Sequence, residues 1–354
     1  MKRITVLFLI ILITLTFSGC DSEIHDRMLI RGVGIDKDGM YYKLSVRAEN
    51  VTENEEELLV SKGETVFDAL TSLSLKSGSR QMYADSYYII FGKSILTDGI
   101  DKSLDFFIRY FKATPTEQLF VAQNTAEEIL SIQKDNKFIS SDYIKDLKNS
   151  SDNSGKTVSL SLLELLSFTK SPSKTALIPI LRKDGENLSL SGAYLLKEYL
   201  PIDYLSGEDI FGIKAAKGEL KTAALVFSSE EYGKVTLEIN KTESQIIFLN
   251  PPYKIKIQIK AMASIASLSL NSYGEIRNID NLEKTASEKL KEKIETSLKY
   301  YNQSADLLGL NFKLYKDYNE IYRKIIAIDN FENKYEIETE TIIEIVKTGQ
   351  ENKN

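Results

Sequence analysis

Residues 253–270, YKIKIQIKAMASIASLSL, carry the pattern that leaves a folding chain the fewest choices. Lys254, Lys256, Gln258 and Lys260 alternate with Ile255, Ile257, Ile259 and Ala261. Successive side chains of a strand point to opposite faces, so this alternation predicts a sheet with one solvated face and one buried face. A buried face needs a cover. NLEKTASEKLKEKIETSLKYYNQSADLLGL (281–310) supplies a long helix, with apolar positions at Leu290, Ile294, Leu298 and Tyr301. LSGAYLLK, GIKAAKGEL, TAALVFSS, KVTLEINKTESQIIFL and Ile337–Val346 read as further strands. The expectation for 186–354 is an α+β domain, an antiparallel sheet packed by a long helix.

The first half alternates strands and helices. Residues 28–50 read as strand, turn, strand about Asp36-Lys37-Asp38-Gly39. Lys43, Ser45 and Arg47 alternate with Leu44, Val46 and Ala48, which predicts one wet face. Gly63–Gly78 places Val66, Ala69, Leu70 and Leu73 at helical spacing, with Gly78 as the stop. YADSYYIIFG (83–92) reads as a buried strand, 100–111 as a helix and LFVAQ (119–123) as a strand. Thr125 and Glu128 stand in capping-box spacing at the head of a helix to Ile132. KDLKNSSDNSGKTVS (145–159) is polar and suits a mobile loop or a link, SLLELLSF (161–168) is a short amphipathic helix, and LRKDGENLS (181–189) is a second polar patch. The expected organisation is an N-terminal α/β region at 20–185, divided into candidate subdomains by a polar break near 133–160, followed by the C-terminal domain. The fold class is α+β and multi-domain, with mixed sheets packed by helices.

The N-terminus is a separate matter. Met1-Lys2-Arg3 is basic, Ile4–Phe17 is uncharged and Ser18-Gly19 are small, the layout of a secretory signal over 1–19. Ile4–Phe17 as a helix would span about 21 Å, short of the roughly 30 Å hydrocarbon core, which makes a permanent transmembrane helix the weaker reading. Small residues directly before the chain's single cysteine, Cys20, resemble the lipobox of bacterial lipoproteins, in which the thiol receives a diacylglycerol. A free thiol in an uncleaved anchor is the other reading. With one cysteine no intramolecular disulfide can form. The net charge is −6, with 45 Lys and Arg against 51 Asp and Glu, which argues against a nucleic-acid partner.

Catalytic constellations are sparse. The single histidine, His25, lies five residues from Cys20, so a Ser-His-Asp or Cys-His arrangement would have to form on the tether. GVGIDK (32–37) fills two positions of G-x-G-x-x-G but sits in a hairpin and opens no helix. Asp36 and Asp38 with Gly39 have the look of a calcium loop without the Glu that would complete it, so a turn is the better reading. No spacing singles out a carboxylate pair from the 51 acidic residues. The 19 tyrosines suit core and rim positions better than a ligand groove.

In order and spacing the chain resembles the Ger(x)C family, the C-subunit lipoproteins of GerA-type spore germinant receptors. The likeness runs through Cys20, RGVGIDKDGMYYKLSV, RQMYADSYYIIFGKSILTDGIDKSLDFFIRYF, LFVAQNTAEEIL, LSGAYLLKEYLPIDYLSGED, LGLNFKLYKDYNEIYRK and TETIIEIVKTG. Asp21-Ser22, Ala84-Asp85 and Thr114 depart from the family's usual Trp, Ser-His and Arg. The resemblance implies a lipoprotein anchored through Cys20 on the outer face of the spore inner membrane. It implies two integral-membrane partners, the A- and B-type receptor subunits, a scaffold or sensing role, no enzymatic activity and no cofactor. A substrate-binding lipoprotein of a transporter and a wall-facing hydrolase are the alternatives from other classes.

Overall fold

A computed structural model describes residues 27–50, 55–77, 80–82, 86–109, 114–249, 253–270, 278–299, 305–327 and 335–347. The chain enters through a hairpin, β1 (Arg27–Asp38) and β2 (Tyr41–Asn50), whose turn is Gly39-Met40. β3 (Glu55–Gly63), α1 (Val66–Ser77), β4 (Arg80–Met82), β5 (Tyr88–Phe91), α2 (Asp101–Arg109), β6 (Gln118–Ala122) and α3 (Ala126–Leu130) follow. Next come a short hairpin of β7 (Gln133–Lys134) and β8 (Lys137–Phe138), then α4 (Ser141–Ser154), α5 (Leu162–Lys170), β9 (Thr175–Asp184), β10 (Asn187–Lys197) and β11 (Leu200–Leu205).

Nine of these strands form one mixed sheet in the order β11-β10-β9-β6-β5-β1-β2-β3, with β4 beside β1. The central strands β1, β5, β6 and β9 run parallel, and the edges are antiparallel hairpins. Ile89, Phe91 and Val121 face α1 and α2, packing with Leu70, Leu73, Leu104 and Phe107. Tyr88, Ile90 and Phe120 face the other way, onto Ile129 of α3 and Ile144 and Leu147 of α4. Covered on both faces, these strands read as unbroken apolar runs, as parallel strands do.

The second lobe contains α6 (Gly207–Lys217), β12 (Ala223–Ser229), β13 (Gly233–Phe248), β14 (Lys254–Leu268), α7 (Ile279–Leu298), α8 (Leu310–Asp317), α9 (Asn319–Ile326) and β15 (Glu336–Lys347). Its sheet runs β12-β13-β14-β15. Leu282, Ala286, Leu290, Ile294 and Leu298 of α7 cover one face, against Leu225, Leu237, Ile257 and Ile343. On the opposite face Lys254, Lys256 and Lys260 pair with Glu336, Glu340 and Glu344. The same core takes in Leu195 and Leu205 of the large sheet, so the lobes share apolar packing.

The α+β class, the mixed sheets and the C-terminal sheet with its long helix are as read from the sequence, but five local expectations are corrected. The C-terminal sheet is not wholly antiparallel: β15 runs parallel to β14, which the α7–α9 crossover between them makes possible. GIKAAKGEL is the body of α6 rather than a strand. Ser206 and Asp209 form a capping box at its head, and burial of Ile210, Phe211, Ile213, Lys214 and Ala215 leaves no polar face to betray the period. LSGAYLLK lies in β10, paired with β9 in the large sheet. The polar stretch 145–159 is largely helix: Ser140 caps α4 through Tyr143 N–H, and Gly155 ends it at φ 66°, in the left-handed region open to glycine. Finally, the face of β2 bearing Ser45 and Arg47 is buried, as described next.

Candidate functional site

Arg47 is 1% exposed, one of the largest fully buried side chains. Its guanidinium donates to the Leu130 carbonyl at 3.0 Å and to the Glu56 carboxylate at 2.5 Å, and it stacks over Phe138 at 4.2 Å. Glu56 in turn accepts from the backbone N–H and the hydroxyl of Ser141, both at 2.9 Å, at the head of α4, where negative charge is favoured. Tyr88 completes the network with its hydroxyl 3.0 Å from that of Ser141, and burial raises its phenol well above the usual range. Strands β2, β3 and β5 and helices α3 and α4 thus meet on one buried ion pair.

Asp36 performs a parallel task one strand away. It is 4% exposed and accepts from Ala126 N–H at 2.9 Å and Glu127 N–H at 3.1 Å, receiving the first turn of α3. Burial raises its pKa, and the two N–H donors oppose that shift. Glycine at 92 is obligatory here, since a Cβ would stand 1.8 Å from the Asp36 Oδ1. Asp38 pairs with Lys62 and Lys37 with Asp98, so the GVGIDKDG segment is spent on structure.

The lobes are joined through Asp306, 3% exposed. It accepts from the Ser173 hydroxyl at 2.5 Å and from the N–H groups of Leu310 and Asn311 at 2.7 and 2.8 Å. Its own N–H donates to Thr175 Oγ1, and Asn311 Oδ1 accepts from the Tyr335 hydroxyl at 2.8 Å. A polar chain therefore runs from the entrance of β9 to the entrance of β15. Between α6, β12 and α7 an open cleft of about 490 Å³ is lined by Glu208, Phe227, Lys289, Glu292, Lys293 and Ser297. Its charges neutralise one another, with Lys156 and Lys293 holding Glu208 below the usual carboxylate range.

Cys20 and His25 lie outside the described residues, as do Asp21, Ser22, Ala84, Asp85 and Tyr301. Among the described residues no group of three or more His, Cys, Asp or Glu could hold a metal, and no helix is long and apolar enough to cross a membrane. The side chains that do converge, Arg47, Glu56, Ser141 and Asp306, escaped a reading of the sequence. The partners that tie them to other elements lie 9 to 133 residues away, beyond any local spacing.

Buried polar groups tie the helices and lobes of this two-lobed α+β body together, and comparison with known proteins identifies the family it belongs to. Residues 21–183 match the model of the spore germination protein N-terminal domain, and residues 191–349 match that of the spore germination B3/GerAC-like C-terminal domain. The chain belongs to this GerAC-like family of spore germination proteins. It is similar to spore germination protein GerQC of Bacillus cereus, with 21% identity over 269 residues, 73% of this chain and 74% of that protein. It is also similar to spore germination protein A3 of Bacillus subtilis (strain 168), with 24% identity over 241 residues, 62% and 64% of the two chains. The crystal structure of the GerBC protein has the same fold, at a TM-score of 0.58 and 15% identity, covering 89% of this chain and 97% of that one.

Proposed function

We propose that the chain is a lipid-anchored, non-enzymatic subunit of a nutrient germinant receptor. It is held through Cys20 on the outer face of the spore inner membrane beside two integral-membrane subunits of the A and B type. The observation that carries this reading is the near-continuous match of residues 21–349 to two spore-germination domain models, beginning directly after Cys20. Everything before the match is then signal and anchor. A diacylglycerol with a further acyl chain gives firm attachment without a spanning segment, each buried CH₂ contributing about 0.8 kcal/mol. The buried networks on Arg47 and Asp306 suit a rigid scaffold that relays contacts between membrane partners.

The test is affinity purification of the tagged protein from detergent-solubilised spore membranes, wild type beside Cys20→Ala, with mass spectrometry of what accompanies it. Recovery of two polytopic membrane proteins with the wild type, reduced with Cys20→Ala, is the expected result. Recovery of an ATP-driven permease, or of nothing, refutes the receptor reading.

A further inference from the structure

Helices α8 and α9 are apolar on two sides. Leu310, Leu314 and Ile325 are buried in the core of the second lobe. Phe312, Tyr315, Tyr318 and Ile326 are nonetheless 48, 50, 45 and 57% exposed. The outward residues form one strip, for Tyr315 packs edge-on against Tyr322 at 5.5 Å and Tyr318 against Phe248 at 5.4 Å, beside Leu249, itself 39% exposed. A surface helix normally turns only one face to the apolar side, so a second apolar face asks for a cover.

The charge around the strip identifies that cover. Residues 310–326 carry Lys313, Lys316, Arg323 and Lys324 against Asp317 and Glu320, a net positive segment in a chain whose net charge is −6. Lys313 lies 3.8 Å from Asp317, whereas Lys316, Arg323 and Lys324 are exposed and have no ion pair among the described residues. In the β14–β15 ladder of the same lobe, by contrast, Lys254, Lys256 and Lys260 each meet a glutamate. Amphipathic aromatic rings flanked by unmatched cations are the composition of helices that lie in the headgroup layer of an anionic bilayer.

We propose that the α8–α9 pair is a second membrane contact, its aromatic strip seated among anionic lipid headgroups with Lys316, Arg323 and Lys324 on their phosphates. This rests on the chain's attachment to a membrane but not on Cys20 as the point of attachment. It gives the second lobe a fixed orientation towards the bilayer, which a single lipid anchor at the other lobe cannot supply.

The chain contains no tryptophan, so a single one reports its own surroundings. Full-length protein bearing Tyr315→Trp, and a control bearing Met40→Trp at the exposed β1–β2 turn, would be reconstituted with phosphatidylcholine vesicles, with and without phosphatidylglycerol. Flotation measures attachment and quenching by brominated lipid measures contact. The proposal expects a blue shift and bromolipid quenching for Tyr315→Trp only, enhanced by phosphatidylglycerol. The enhancement is lost when Lys316, Arg323 and Lys324 are changed to Glu. A chain that floats while Tyr315→Trp stays unquenched overturns the proposal and leaves attachment standing. A shift seen only after other receptor subunits are added overturns it in favour of a protein partner. A chain that neither floats nor shifts defeats both this proposal and the attachment reading.

Discussion

Arg47 shows how much one side chain can hold. Arg47 is fully buried and Glu56 part-buried, so removing one partner costs towards the lower end of the roughly 3–5 kcal/mol of a fully buried pair. Arg47→Leu is therefore expected to destabilise the chain by that order in denaturant titration, and Arg47→Leu with Glu56→Leu to recover part of the loss. Equal loss in the single and double variants would mean the pair itself is not what matters. Glu117 presents the opposite case. It is 2% exposed, and burial pushes its carboxyl from 4.5 up to about 7 against the lowering effect of the Ser86 hydroxyl. Because the folded-state pKa is raised, the contribution is full below pH 4.5, falls as pH rises and is gone above about 7. Thermal melts across this window should show wild type losing ground to Glu117→Gln by up to about 3 kcal/mol. Parallel pH profiles of the two proteins would show that Glu117 titrates normally. Neither role is legible in the sequence: Arg47 sits in an alternating pattern that reads as solvated, and Glu117 stands in a polar loop. Both are buried by segments distant in the chain.

Among the elements, α3 is the one whose existence depends most on a residue outside it. Five residues cannot hold a helix in isolation, so its first N–H groups need a fixed acceptor, which Asp36 provides from β1. Asp36→Ala should cost about 1–2 kcal/mol, on the scale of a lost helix cap, and speed amide exchange in 126–130; Asp36→Asn should be milder. Unchanged exchange would show that Thr125, which accepts from Glu128 N–H, suffices alone. Edge strand β15 has a comparable device. Ile343 N–H donates to Ser287 Oγ and Ile345 N–H to Glu283 Oε1, so α7 occupies backbone donors that would otherwise be open to another chain. Local signals sufficed for the elements with one solvated face: the long strands, the α1 stripe and the short amphipathic helix α5. They failed at α6, buried on every side, and at α4, whose polar composition masks the inward Ile144 and Leu147.

For the whole molecule, the Asp306 junction decides whether the lobes move as one body. Asp306→Ala removes acceptors for Ser173 and for two N–H groups at the head of α8. It is expected to raise amide exchange at 171–175 and 305–311 together, and to widen the distance distribution between spin labels placed on the two lobes. An unchanged distribution would assign the lobe arrangement to the shared apolar core alone. The sequence by itself determined the α+β class, the long amphipathic strands with their helix cover and the family likeness, because these rest on periodicity and residue order along the chain. Only the tertiary structure decided that β15 joins in parallel, that Arg47 and Asp306 are buried and paired, and that the aromatic strip of α8 and α9 is left uncovered. These depend on which distant segments meet, and a linear pattern records the need to bury a face without recording what will bury it.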